Sequence, residues 1–286
     1  KRMALNSSKN IDHGNYIPSP IVPGMKVADG EHIRKVFVLS TADVAVGANQ
    51  DYIGAVVGST GSPTTESATE TTSDLVTEPV EVTSLSRIPA NIEVGADAKL
   101  DLTVIVLPGV SARIPLTIDL TGAHSEVRLS GIYLCSGHDN VTFDITMHHR
   151  TGDCRSWQTF NGLASGEAKC GFFGKIVIAP DAQRTEAFQE NHNILLSDTA
   201  RVNTKPRLEI YADDVKCSHG ATVGKLNEDE QFYMRSRGIP EEEAKVLQMI
   251  SFVAPVLETI PEEATYGDIS RSTVAELVES AIRSFA

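Results

Sequence analysis

Cys217 and His219 stand two residues apart in KPRLEIYADDVKCSHGATVG, the stretch from Lys205 to Gly224. It opens with strand-like alternation and turns at Asp213-Asp214. In an extended chain, residues i and i+2 point to one face. Val215, Cys217 and His219 are therefore expected on one side, with Lys216 and Ser218 on the other. A thiol beside an imidazole can bind a metal, relay a proton, or act as nucleophile and base. By spacing alone, packing is the better reading, because a lone Cys-x-His is weak beside a four-ligand pattern.

Other reactive residue types give less. His148 and His149 are adjacent, so in a strand they face opposite ways and cannot share an ion. One is expected packed and the other exposed. Cys154 and Cys170 read as small, inert, buried thiols. Glu186, Glu190, His192 and Asn193 bring carboxylates near a histidine, but a general base needs a nucleophile or a cleft. They read as a solvated loop ahead of a strand. The sequence contains no G-x-x-x-x-G-K-[ST], G-x-S-x-G or H-E-x-x-H, and no G-x-G-x-x-G opening a helix.

The net charge of -13 argues against nucleic acid or an anionic membrane surface as partner. No apolar run approaches the roughly 18 residues needed to span a bilayer. Four sparse cysteines without C-x-x-C fit free thiols in a reducing cytosol, although two disulfides remain possible by count. KRMALNSSKN lacks the apolar core of a signal peptide. A chain beginning at Lys1 is expected to be part of a longer protein.

These residues need a scaffold. Residues 1–33 are rich in Pro and Gly and read as irregular. A core is expected over 34–225, interrupted by a flexible Ser/Thr/Gly/Glu-rich loop near 58–76. From about Val80, short runs such as EVTSL, ANIEVG, KLDLTVIVLPG, EVRLSGIYLC and NVTFDITMHHR alternate with turn residues. No amphipathic helix interrupts them, which excludes a doubly wound α/β fold. A sandwich, a barrel and a solenoid all remain open. Residues 226–286 read as helical. Pro240 with Glu241–Glu243 opens one helix, and Val246, Leu247, Ile250, Val253, Ala254 and Leu257 give it an apolar stripe. A last helix is expected from near Asp268 or Ser270. These stripes must pack on the β body or on a partner.

The long segments GKIVIAPDAQRTEAFQENHNILLS, KPRLEIYADDVKCSHGATVG and FYMRSRGIPEEEA resemble the SufB/SufD family of the SUF iron–sulfur cluster assembly machinery. The resemblance covers roughly the C-terminal half. It implies a mainly β fold, a right-handed parallel β-helix followed by a small C-terminal helical domain. It implies a non-catalytic scaffold of the D type, because Cys-x-His stands where B-type chains carry Glu-His-Glu. It further implies a cytoplasmic complex with a B-type sister subunit and a SufC-type ATPase, with a homodimer expected in isolation. Cys217 and His219 would meet the sister subunit and handle a transient iron or iron–sulfur cluster, no cofactor being stably bound in the isolated chain. The helical tail would dock the ATPase through Phe232, Tyr233, Arg237, Ile239, Pro240, Val246, Leu247 and Ile250. A family N-terminal helical region is not found. The alternative is a β-helix carbohydrate-active enzyme, which would need paired carboxylates in a groove. One Trp and 6% aromatics speak against it, and a bland surface solenoid would not need the acidic amphipathic tail.

Overall fold

The computed structural model describes residues 24–40, 88–260 and 271–285. The loop near 58–76, the EVTSL run and the expected start of the last helix lie outside the described residues. Among the described residues, twelve strands run in chain order. They are β1 (Met25–Val27), β2 (His32–Leu39), β3 (Asn91–Val94), β4 (Lys99–Val106), β5 (Ala112–Leu120) and β6 (Glu126–Cys135). There follow β7 (Asn140–His149), β8 (Arg155–Ala164), β9 (Lys169–Ile178), β10 (Thr185–Leu195), β11 (Arg201–Ile210) and β12 (Val215–Gly224). The odd strands form one six-stranded sheet and the even strands the other. All pairings are parallel. Each coil therefore gives one strand to each sheet, which makes the body a parallel β-solenoid. The first strand, Met25–Val27, lies within the stretch expected to be irregular and pairs with β3.

The coils repeat at about 30 residues, as the row Glu126, Arg155, Glu186, Lys216 shows. Corner conformation repeats as well. Asp97, His124, Asp153 and Arg184 take positive φ just before the even strands β4, β6, β8 and β10. Gly109, Gly137 and Gly166 do so before β5, β7 and β9. A left-handed residue at these seven corners lets the chain turn sharply into the next sheet.

Inside the solenoid, side chains stack row upon row. Tyr133, Phe143, Phe160 and Phe172 form an aromatic column with centroid separations of 5.6, 5.0 and 4.9 Å. Such pairs contribute about 0.5–1.5 kcal/mol each beyond area burial. Glycines make the room. A Cβ on Gly131 would lie 2.3 Å from the Phe160 ring, and one on Gly162 would lie 2.1 Å from Tyr133. Gln158 and Gln189 stack with a 3.0 Å hydrogen bond. The Asn191 amide donates to the Tyr133 hydroxyl at 2.9 Å, and Asn193 accepts from that hydroxyl. Burial holds the Tyr133 phenol protonated, its pKa raised far above the usual value.

Strands β8 and most of β10 escaped the sequence reading for this reason. Their inward residues include Ser156, Gln158, Gln189, Asn191 and Asn193, all buried. AFQENHNILLS is therefore strand, not solvated loop, because its inward amides bond within the stack, Gln189 donating to Gln158 and Asn193 to Asn191.

Three helices follow: α1 (Glu228–Ser236), α2 (Glu241–Leu257) and α3 (Arg271–Arg283). Asn227 caps α1, accepting from the N–H groups of Asp229 and Glu230. The apolar stripes of α2 and α3 pack on the solenoid's own flank. Val246, Met249, Val253, Val274 and Val278 bury against Ile105, Ile132, Leu134 and Leu163 of the even sheet. The α2 stripe differs from the expected one in that Met249 and Val256 are buried while Leu247 is 40% exposed. Pro255 lies inside α2 and cannot donate to Ser251, which loosens the carbonyl ladder there. The Asn161 amide bonds the neighbouring Phe252 carbonyl at 2.6 Å. The helical unit is thus pinned to β8.

Replacing Gly162 by Ala forces Tyr133 out of its column. The expected loss is about 1–3 kcal/mol, read as a lower urea midpoint at unchanged slope. An unchanged midpoint would mean that the column has slack.

Candidate functional site

The last coil offers the site. Each interior strand has neighbours on both sides, but β11 and β12 end their sheets. Strand β12 pairs only with β10, over all ten of its residues. Its other edge carries ladder groups with no strand partner among the described residues. Edge strand β11 is blunted by Pro206, Lys205 and Arg207, devices that discourage strand addition. VKCSHGATVG in β12 has no proline.

Cys217 registers with Ala187, and His219 with Gln189. Val215 and Cys217 pack against the rim of the interior core, while His219 is exposed. The shared face expected from alternation therefore looks toward the open end of the solenoid. Partial burial pushes the Cys217 thiol above its usual range, and a backbone hydrogen bond with Ala187 opposes the shift. Among the described residues, no group of three or more His, Cys, Asp and Glu side chains could hold a metal ion. Cys217 and His219 alone fall short of such a group.

The other candidates fall into structural roles. His149 is buried, its Nε2 lies 2.8 Å from Ser156 Oγ, and burial pushes its pKa down to about 4. His148 is half-buried. Cys154 is buried and donates to the Gly122 and Gly152 carbonyls at 3.3 Å. His192 Nδ1 lies 2.8 Å from Thr222 Oγ1. The outward carboxylates expected of a carbohydrate-active groove are matched to cations. Glu126 and Glu186 flank Arg155 at 3.8 and 3.6 Å, and Lys216 reaches Glu186 at 2.8 Å.

The expected docking residues divide. Phe232 and Tyr233 are 72% and 59% exposed, and Arg237 sits 4.9 Å over the Tyr233 ring. Ile239 is half-buried, and Pro240 is exposed at the N-cap of α2. Val246 is 2% exposed, because its position on α2 faces the solenoid flank, and so it contributes to the fold and not to the open surface. Ile250 is half-buried against the same cluster. Helix α1 has no buried residue. It is held to α2 by Gln248, whose amide donates to the Asn227 carbonyl and to Glu230 at 3.0 and 2.8 Å. A groove of about 680 Å³ opens between α1, α2 and the end of β10, with Leu226, Tyr233, Met234, Leu247 and Phe252 on its walls. The sequence reading missed Leu226 and Met234, which only the folding of α1 across α2 brings to one groove.

A profile described as the SUF system FeS cluster assembly SufBD core domain matches residues 64–252. The chain belongs to the SufBD family. It is 35% identical over 158 residues to the iron–sulfur cluster assembly protein SufD of Escherichia coli, covering 55% of this chain and 37% of that protein. A SufBD family protein of Synechocystis is 47% identical over 100 residues, covering 35% of this chain and 22% of the relative. One from Pyrococcus horikoshii is 32% identical over 171 residues, covering 60% and 38%. The chain thus spans well under half the length of these relatives. No helix among the described residues is long and apolar enough to cross a membrane.

Alkylation of Cys217 by iodoacetamide in the folded chain is expected to show a pH midpoint above that of the same cysteine in urea. Burial disfavours the thiolate, so the folded profile moves to higher pH. A midpoint at or below the unfolded value would reveal a cation or metal stabilising the thiolate.

Proposed function

We propose that this chain is a D-type scaffold of SUF cluster assembly, which presents Cys217 and His219 on a free strand edge to a B-type sister subunit. The observation that supports it is the placement of both donors on β12, the unpaired edge of the last coil. A free ten-residue edge suits strand addition, in which main-chain bonds give affinity and alternate side chains give specificity. A thiol and an imidazole suit iron or a cluster edge. With two donors from each partner, cargo would be held only in the pair and released when the pair opens. In isolation the same edge favours a second copy of this chain. The cytoplasm is the compartment that keeps such a thiol reduced.

Helix α1, the exposed Phe232 and Tyr233, and the groove beside Leu247 are the surface we assign to a SufC-type ATPase. Exposed aromatics around an apolar groove are the usual anchors of an interface. Catalysis of nucleotide hydrolysis belongs to that partner in this reading.

Two experiments test it in the reconstituted complex. Cys217→Ala and His219→Ala should each lower cluster yield several-fold while the subunits still co-purify, and normal yield from both would remove the site. Phe232→Ala with Tyr233→Ala should weaken ATPase binding by about 30-fold or more, as removing anchors worth roughly 2 kcal/mol or more does. Undiminished binding would remove the docking surface. These substitutions are cleaner than deleting 226–286, which would bare Ile132, Leu134 and Leu163.

A further inference from the structure

One inward row of the solenoid ends on His219. Leu129, Gln158, Gln189 and His219 follow one another in register on β6, β8, β10 and β12. Gln189 Nε2 donates to Gln158 Oε1 at 3.0 Å. Gln189 is fully buried, and its amide lies against the facing sheet, where a Cβ on Gly174 of β9 would come within 2.2 Å of Nε2. The ladder has a direction. An amide that donates to the coil below turns its carbonyl toward the coil above. Gln189 Oε1 is buried and has no hydrogen-bond partner among the described residues. At the opposite end Gln158 Nε2 is also unpartnered, because the row continues there as Leu129, which has nothing to accept with. The upper end is different. The residue in register above Gln189 is an imidazole, which can donate a proton from one nitrogen and keep a lone pair free on the other. Across the interior, Gly174 registers with Pro206, and neither carries a side-chain donor.

We propose that Gln189 is the positioning residue of the candidate site: its Oε1 accepts the N–H of one His219 ring nitrogen and so aims the other, unprotonated nitrogen outward beside Cys217. This role rests on reading Cys217 and His219 as donors to a cluster. A buried acceptor left empty is destabilising, and a bond from His219 removes that penalty. A histidine that binds metal through one nitrogen is oriented by what its other N–H donates to, and a carbonyl oxygen fixes both the tautomer and the ring. Gln189 is a neutral amide held by Gln158 on one side and by the close Gly174 backbone on the other. It therefore supplies orientation without adding charge.

His219 is exposed, so the nitrogen turned away from Gln189 stays within reach of cargo. His192 is differently placed, although it lies on the same strand as Gln189. Its Nδ1 meets the Thr222 hydroxyl at 2.8 Å, and a hydroxyl can donate or accept. That pair is independent of Gln189 and serves as an internal control.

The test uses the intact chain with ¹⁵N in its histidine rings. At about pH 8.5, roughly two units above the ordinary imidazole pKa, the ring ¹⁵N shifts show which nitrogen holds the proton. His219→Gln assigns the signal. In the folded chain His219 is expected as a single tautomer, in contrast to the mixture it gives in urea. Gln189→Met removes the acceptor at similar volume and should return His219 to that mixture, while His192 keeps its signals. A folded chain in which His219 shows the urea mixture overturns the proposal, and so does a single tautomer that survives Gln189→Met. If that variant does not fold, the unsubstituted chain, folded against urea, decides. In the reconstituted complex Gln189→Met should lower cluster yield several-fold with the subunits still co-purifying. Normal yield from it, where His219→Ala lowers the yield, overturns the positioning role. A single tautomer together with normal yield from both Cys217→Ala and His219→Ala would remove the cluster site and leave the Gln189 bond standing.

Discussion

Parallel coils must stay in register, and the rest of this structure depends on that. Backbone ladders close only if each strand lies directly over its equivalent one coil away. Side chains then have no choice of neighbour, since each lies about 4.8 Å from its counterpart. Like charges in such a row would repel along its whole length. Lys99, Glu126, Arg155, Glu186 and Lys216 alternate in sign instead, with contacts between 2.8 and 3.8 Å. Large rings in adjacent inward positions would collide, and so Gly131 and Gly162 lie beside Phe160 and Tyr133. Amides are tolerated inside because the next coil offers them a partner, as Gln189 offers Gln158.

The same rule explains why the candidate site lies at an end. Every coil completes the one before it, and the last coil is left incomplete. Cys217 continues the inward row of Ser156 and Ala187, and His219 the row of Gln158 and Gln189. Reactive residue types replace packing ones at the first position that stacking does not cover. The helices follow a different logic. Helices α2 and α3 are spent on covering Ile105, Ile132, Leu134 and Leu163. Helix α1 buries nothing and stays in place through its cap and Gln248.

Much of this was legible in the sequence, and the failures have physical causes. Strands with apolar inward residues, such as β4, β5, β6 and β7, declared themselves by alternation. Strand β8 did not, because Gln158 and Gly162 at inward positions imitate a loop. The thirty-residue repeat was invisible because residues stacked in one row, such as Leu129, Gln158, Gln189 and His219, share no chemistry. What repeats is the left-handed corner, occupied by Asp97, His124, Asp153 and Arg184 in turn. The Cys217 and His219 alternation was readable from spacing, but their place on an outermost strand was not. Edge position is a property of the whole sheet. The α2 stripe shifted from Leu247 to Met249 because the flank it meets is one particular row of β6 and β8.

Stacking also makes length a discrete variable. The helical unit is anchored at β6 and β8, through Thr259 on Ser130 at 3.3 Å and Asn161 on Phe252. The thiol and imidazole lie further along the even sheet, beyond β10. One additional coil between those positions would move them apart by about 4.8 Å, with little rotation and no change to either end. The solenoid is thus a ruler graduated in single coils. Its reading sets how far the helical unit stands from the edge that carries Cys217 and His219.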